Sequence, residues 1–120
     1  MNGKLTTHVL DTAQGCPAAG MTIELYGVDK TTEKVQIIKT LKTNDDGRAD
    51  QPLLTGDQFK IGCYEIVFLV GEYFDQSSLI LPDPPFLDRV PIRFGIADLN
   101  AHYHVPLLVS PWSYSTYRGS

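Results

Sequence analysis

The sequence predicts an all-β sandwich of about seven short strands with one short helix. Three observations carry that prediction. Apolar residues recur with a period of two along several runs, as they do on strands that bury one face. Clusters of Gly, Pro, Asn and Asp break the chain between those runs. The 120 residues, 42% hydrophobic and 20% charged, suit one domain over residues 1–120 with a core large enough to need no staples.

Residues 5–11 open the chain as a strand, in which His8 shares a face with Leu10. Gly15-Cys16-Pro17 turns it. Met21, Ile23 and Leu25 then alternate with Thr22, Glu24 and Tyr26. Residues 35–41 read as another strand, and Asn44-Asp45-Asp46-Gly47 and Thr55-Gly56-Asp57 are the next turns. Tyr64, Ile66, Phe68 and Val70 form one apolar face. Its reverse, Cys63, Glu65, Val67 and Leu69, is only partly polar, which marks a central strand. The short helix falls near residues 71–77, before the turn Pro82-Asp83-Pro84-Pro85. In residues 89–96, Val90, Ile92, Phe94 and Ile96 face the core, and Arg89, Pro91, Arg93 and Gly95 face water. Residues 103–109 put Tyr103, Val105, Leu107 and Val109 inward, and residues 113–118 form the last strand.

Composition excludes several functions. Fourteen acidic against ten basic side chains leave a net charge of −4, which disfavours nucleic acid as a partner. The longest unbroken apolar run, residues 66–70, falls far short of the roughly 18 residues that a spanning helix needs, so no membrane partner is expected. The start, Met1-Asn2-Gly3-Lys4-Leu5, lacks the apolar stretch of a secretory signal, and the expected location is cytoplasmic. Cys16 and Cys63 match no metal spacing. They read as reduced thiols, Cys16 exposed in its turn and Cys63 buried as a small hydrophobe. His102 and His104 could share a zinc ion, but no third ligand is spaced to join them, and neither metal nor cofactor is implied.

Few side chains are capable of catalysis. His8 alone reads as a surface histidine. His104 lies on the face opposite the core beside the apolar Leu108, and such half-apolar faces meet a ligand or a partner subunit. His102 is placed at the start of that strand, outside the site. Arg48 follows the Asp45-Asp46-Gly47 turn. It is either a solvated residue or, in a cavity, a fixed cation for a carbonyl or oxyanion. The tail Tyr114 to Ser120 keeps strand-like alternation to the end, with Ser115, Tyr117 and Gly119 on one face, so it reads as docked rather than frayed. No nucleophile elbow, phosphate loop or Ser-His-Asp order is present. Water attack assisted by histidine fits better than a covalent route.

At these residues the chain resembles the 5-hydroxyisourate hydrolases, the transthyretin-like enzymes of urate breakdown. The resemblance covers essentially the whole chain. It rests on His8-Val9-Leu10-Asp11-Thr12 with Gly15, Pro17-Ala18 and Gly20, on Thr43-Asn44-Asp45-Asp46-Gly47-Arg48, and on Pro91-Ile92-Arg93-Phe94. It continues in His102-Tyr103-His104-Val105-Pro106-Leu107-Leu108 with Ser110-Pro111, and ends in Tyr114-Ser115-Thr116-Tyr117-Arg118-Gly119-Ser120. The terminal Tyr-Arg-Gly-Ser is the most specific part and separates the enzymes from the carrier transthyretin. Trp112 is a mild departure, outside the catalytic set.

The resemblance implies a transthyretin-like β-sandwich of two four-stranded sheets. It also implies a homotetramer, a dimer of dimers, enclosing a channel with two active-site mouths. It implies that 5-hydroxyisourate is hydrolysed to 2-oxo-4-hydroxy-4-carboxy-5-ureidoimidazoline. His8, Arg48 and His104 would be catalytic, and His8, Arg48, Tyr117 and Ser120 would bind substrate. The alternative is a transthyretin-like carrier that uses the same channel without catalysis. In the carrier, lysine, glutamate and threonine stand at the positions of His8, Arg48 and His104. A bare adhesion-type sandwich explains neither the histidines nor the docked tail.

Overall fold

Two β-sheets pack face to face in the computed structural model, which describes residues 2–119. The strands are β1 (Lys4–Asp11), β2 (Cys16–Pro17), β3 (Thr22–Val28), β4 (Val35–Lys42), β5 (Leu54–Thr55), β6 (Gly62–Leu69), β7 (Arg89–Ile96), β8 (His102–Val109) and β9 (Tyr114–Thr116). One α-helix, α1 (Val70–Asp75), follows β6 directly, and Gly56–Gln58 form a single 3-10 turn after β5. The first sheet runs β2-β1-β8-β9, with β5 pairing the start of β1, and the second runs β4-β3-β6-β7. This is the transthyretin-like sandwich expected, with β5 added beyond the four strands in line. The sequence reading misses β2 and β5, and it extends β9 beyond the three residues that pair as a strand.

Alternation builds the core. Leu5 and Val9 of β1, Ile23 and Leu25 of β3, Ile66 and Phe68 of β6, and Leu107 and Val109 of β8 are fully buried between the sheets. Each such side chain contributes about 1.5–3 kcal/mol through burial, and Phe68→Ala would cost about 3–5 kcal/mol with its cavity. β6 lies between β3 and β7, so its reverse face is also partly covered, as its mixed character suggests. Cys63 sits on that reverse face and is half-buried rather than buried. Both cysteines are free thiols.

β4 closes the edge of the second sheet. A register shift between Leu25 and Tyr26 leaves an extra residue on β4, and Val35, Ile37 and Ile38 stay exposed. The short helix buries Val70, Gly71 and Phe74. It is tied to the first sheet by the Tyr73 hydroxyl, which donates to Oδ2 of Asp11 at 2.8 Å. Asp11 is buried, and its Oδ1 accepts the N–H groups of Ala13 and Gln14 at 3.0 and 2.9 Å. Those bonds offset the cost of burying the carboxyl group. Burial, then Asp11 itself, pushes the Tyr73 hydroxyl well above its ordinary range.

The pairing that positions the site is β1 against β8. They run parallel in register, with Lys4 opposite His102, Thr6 opposite His104 and His8 opposite Pro106. Successive side chains point to opposite sheet faces. Leu5, Val9, Leu107 and Val109 therefore enter the core, and Lys4, Thr6, His8, His102 and His104 stand on the outer face. No helix among the described residues is long and apolar enough to cross a membrane.

Candidate active site

A cleft of about 410 Å³ opens on the outer face of β1 and β8, with Lys4, Thr6, Arg48, Asp50, His102 and His104 in its walls. Thr6 is its centre. Its Oγ1 lies 2.6 Å from Nε2 of His102 and 2.8 Å from Nδ1 of His104. The two imidazole rings stand 6.0 Å apart at 63°. Nε2 of His104 has no hydrogen-bond partner among the described residues. His102 is therefore part of this wall and not outside the site, which corrects the expectation from sequence. The parallel register sets it one pleat from His104 on the same face, where both reach one threonine.

Arg48 arrives from a turn built for the purpose. Oδ1 of Asn44 accepts the N–H groups of Asp46 and Arg48 at 2.9 and 3.1 Å, and the Asn44 N–H donates to the Arg48 carbonyl at 2.7 Å. Gly47 has φ of +75°, where other residues are strained, and an added Cβ would stand 2.3 Å from the Val9 carbonyl oxygen. The Val9 N–H donates to the Gly47 carbonyl at 2.8 Å. The turn is thereby stitched to β1, and Arg48 forms an isolated antiparallel bridge with His8. His8 thus sits beside Arg48 on the outer face but off the cleft wall. Arg48 makes no ion pair among the described residues, whereas Arg89 and Arg93 do.

The tail closes the site from the other side. The Gly119 N–H donates to the His104 carbonyl at 2.8 Å, extending the β8–β9 register beyond β9. An added Cβ on Gly119 would come 2.6 Å from Cδ2 of His104, so only glycine lies against that ring. Arg118 places its guanidinium 4.2 Å from the centre of the Tyr103 ring, a cation–π contact that pins the tail to β8. The Thr116 hydroxyl donates to the Pro106 carbonyl at 2.7 Å. The same register puts Tyr117 opposite Pro106, next to the row of His8, but Tyr117 is 60% exposed and its hydroxyl has no partner among the described residues. Ser120 lies outside the described residues.

The electrostatics favour neutral imidazoles. All three histidines are held below the ordinary value of 6.5. For His104 the cause is burial first, then the charges of Arg48, His102 and His8. For His8 it is burial, then Arg48, with the backbone and carboxylate of Asp46 pulling the other way. For His102 it is burial, then Lys4. A neutral imidazole can take a proton from water, and a permanently charged guanidinium can hold a developing oxyanion. No group of three or more His, Cys, Asp or Glu among the described residues is placed to hold a metal ion. A larger concavity of about 1070 Å³ beside β4 has neither histidine nor arginine in its lining.

The structure therefore brings together His104 and Arg48 in the cleft wall, with His8 adjacent. Sequence reasoning missed Thr6, since a threonine on a strand carries no signal of its own, and set His102 aside.

Comparison with known proteins identifies relatives over nearly the whole chain. The sequence profile of the HIUase/Transthyretin family matches residues 5–119. A 5-hydroxyisourate hydrolase of Pseudomonas aeruginosa is 56% identical over 118 residues, covering 98% of this chain and 92% of that one. The crystal structure of an (S)-allantoin synthase superposes with a TM-score of 0.92 at 50% identity, over 99% of this chain but 44% of that longer one. The 5-hydroxyisourate hydrolase of Klebsiella pneumoniae superposes with a TM-score of 0.78 at 31% identity, over 98% and 99% of the two chains.

Proposed function

This chain belongs to the HIUase/Transthyretin family and is a hydrolase, and from that premise we propose that it opens the lactam ring of 5-hydroxyisourate with water. The product would be 2-oxo-4-hydroxy-4-carboxy-5-ureidoimidazoline. The observation that carries the reading is the convergence of His104 and Arg48 on one cleft, with His8 bridged to Arg48. A non-catalytic carrier has no use for neutral imidazoles beside a guanidinium that makes no ion pair among the described residues.

Each group has a role that its chemistry allows. His104 takes a proton from water through Nε2 as the water oxygen bonds to the lactam carbonyl carbon. Arg48 cannot act as a base, because it stays protonated, so it binds the oxygen on which negative charge develops. The carbon–nitrogen bond then breaks, and the proton held on imidazole passes to the departing nitrogen. His8, beside Arg48, orients the substrate. Tyr117 and Ser120 complete the substrate contacts from the tail.

We extend the reading to assembly. The outer face of β1 and β8 would be covered by symmetric copies in a homotetramer, a dimer of dimers, forming a channel around the site. Light scattering on the purified protein should give a tetramer, and a monomer would leave the cleft open to bulk water. Catalysis is tested by adding the protein to freshly generated 5-hydroxyisourate and following the loss of its ultraviolet absorbance. Decay at the spontaneous rate would sink the proposal.

A further inference from the structure

We propose that Thr6 is a positioning residue that fixes the tautomer of His104, with His102 as the outer partner that orients the Thr6 hydroxyl. The inference deepens the proposed hydrolase reading and rests on it for the choice of tautomer and for its kinetic part.

The argument is a count of protons. Thr6 Oγ1 carries one hydrogen and two lone pairs. Two ring nitrogens, Nε2 of His102 and Nδ1 of His104, lie within hydrogen-bond distance of it, at 2.6 and 2.8 Å. A neutral imidazole has one N–H and one bare nitrogen. The single hydroxyl proton can satisfy only one bare nitrogen, so at least one of the two rings must donate to Thr6. If His104 accepted at Nδ1, its N–H would sit on Nε2, and the nitrogen free of protein partners could not take a proton. If His104 donates from Nδ1, Nε2 is bare and the ring is a base on that side. The hydroxyl proton then goes to Nε2 of His102, which leaves the N–H of His102 on Nδ1.

The surroundings offer no competing partner for either ring. Lys4 faces His102, and Arg48 and His8 face His104, while Asp46 lies beside His8 and Asp50 is on the cleft wall. None of these groups is hydrogen-bonded to either ring of the pair, so the shared threonine is the one contact that can choose the His104 tautomer among the described residues. The tail enforces the same ring position, because Gly119 lies against Cδ2 and leaves no room for the ring to swing toward it. In the reaction no further atom is transferred: Nδ1–H stays on Thr6 while Nε2 gains and then returns the proton of water.

The test uses Thr6→Val, which keeps the β-branched shape and removes the hydroxyl, and Thr6→Ser, which restores it. Nitrogen-15 NMR of the imidazole rings in the intact protein at pH 8 reports the tautomer directly. The wild type should show His104 protonated at Nδ1, and Thr6→Val should shift it toward the Nε2–H form. The kcat of Thr6→Val on 5-hydroxyisourate should fall about 10-fold or more, short of the 10²–10⁴ lost with a whole general base. KM should hold, and Thr6→Ser should recover both tautomer and kcat. An Nε2–H tautomer in the wild type, or wild-type kcat in folded Thr6→Val, overturns the assignment. If the wild type proves inactive on 5-hydroxyisourate, the functional reading fails, and the NMR comparison still decides the role of Thr6.

Discussion

Replacing Gly119 with alanine isolates the link between tail and base. Gly119 does not have a positive φ, so backbone strain is not the reason for glycine here. Space is. The added methyl would stand 2.6 Å from Cδ2 of His104 and 3.2 Å from its Cβ and Cγ. Carbon atoms in contact prefer about 3.5–4.0 Å, so something must move by roughly 1 Å. The ring can move only by lengthening its 2.8 Å bond to Thr6. The tail can move only by giving up the 2.8 Å bond from Gly119 to the His104 carbonyl. Displacing the ring puts the proposed base about 1 Å from its place, an error that can cost about 10²-fold in rate. The stability cost is smaller, about 1 kcal/mol, because a lifted tail loses one hydrogen bond and relieves the clash. The expected result is therefore a large fall in kcat with nearly unchanged melting temperature and assembly. Ser115→Ala, on an exposed position of β9, serves as the control and should do neither. Wild-type turnover in Gly119→Ala would refute the idea that this contact sets the base.

Further outcomes follow from the same geometry. His104→Asn should lose about 10²–10⁴-fold in kcat as the general base is removed. Arg48→Ala should weaken substrate binding in addition to turnover, and His102→Asn should cost less than either, since His102 reaches the reacting side only through Thr6. The pH profile of kcat/KM should have an acid limb below 6.5. All three imidazoles are held below that value, so they are neutral at pH 7, and activity is lost only as falling pH protonates them; a limb centred above 6.5 contradicts it. Activity should survive exhaustive chelation, and loss restored by zinc would promote His102 and His104 to ligands.

The strand Arg89–Ile96 is legible because one face is core and the other is wet, and the sequence shows both. The same alternation gives the outward placement of His104. Two-residue strands such as Cys16–Pro17 and Leu54–Thr55 carry no period and leave no trace. β4 reads as a strand, but its exposed isoleucines do not reveal that it is an edge. The pairing of β1 with β8 is the decisive gap. Thr6 and His104 are separated by 98 positions, and nothing local says that the strands meet in parallel at that register. Without that register, His102 looks like a residue at the start of a strand. With it, His102 is a neighbour of the base. Recognising the terminal Tyr-Arg-Gly-Ser supplied His8, Arg48 and Tyr117 as a set. The physical reason for its glycine emerges only when the ring it covers is in place.

Charge distribution adds a further argument for an anionic or oxyanion-forming ligand. The chain is net acidic, at −4. Yet the outer face of β1 and β8 gathers Lys4, Arg48 and three histidines around one cleft, and among the described residues Asp50 is the only carboxylate in its wall. That carboxylate is engaged by the Asn44 amide at 3.0 Å. Burial first, and then the neighbouring cations, hold the three histidines below their ordinary value. Arg48 stays charged, because guanidinium does not lose its proton in proteins. Among the described residues Arg48 forms no ion pair, whereas Arg89 and Arg93 both do. The arrangement becomes favourable when a substrate brings negative charge to Arg48. On the proposed mechanism, the same charge would raise the proton affinity of His104 as the oxyanion forms, and base strength at this site would rise along the reaction because the substrate supplies the counter-charge.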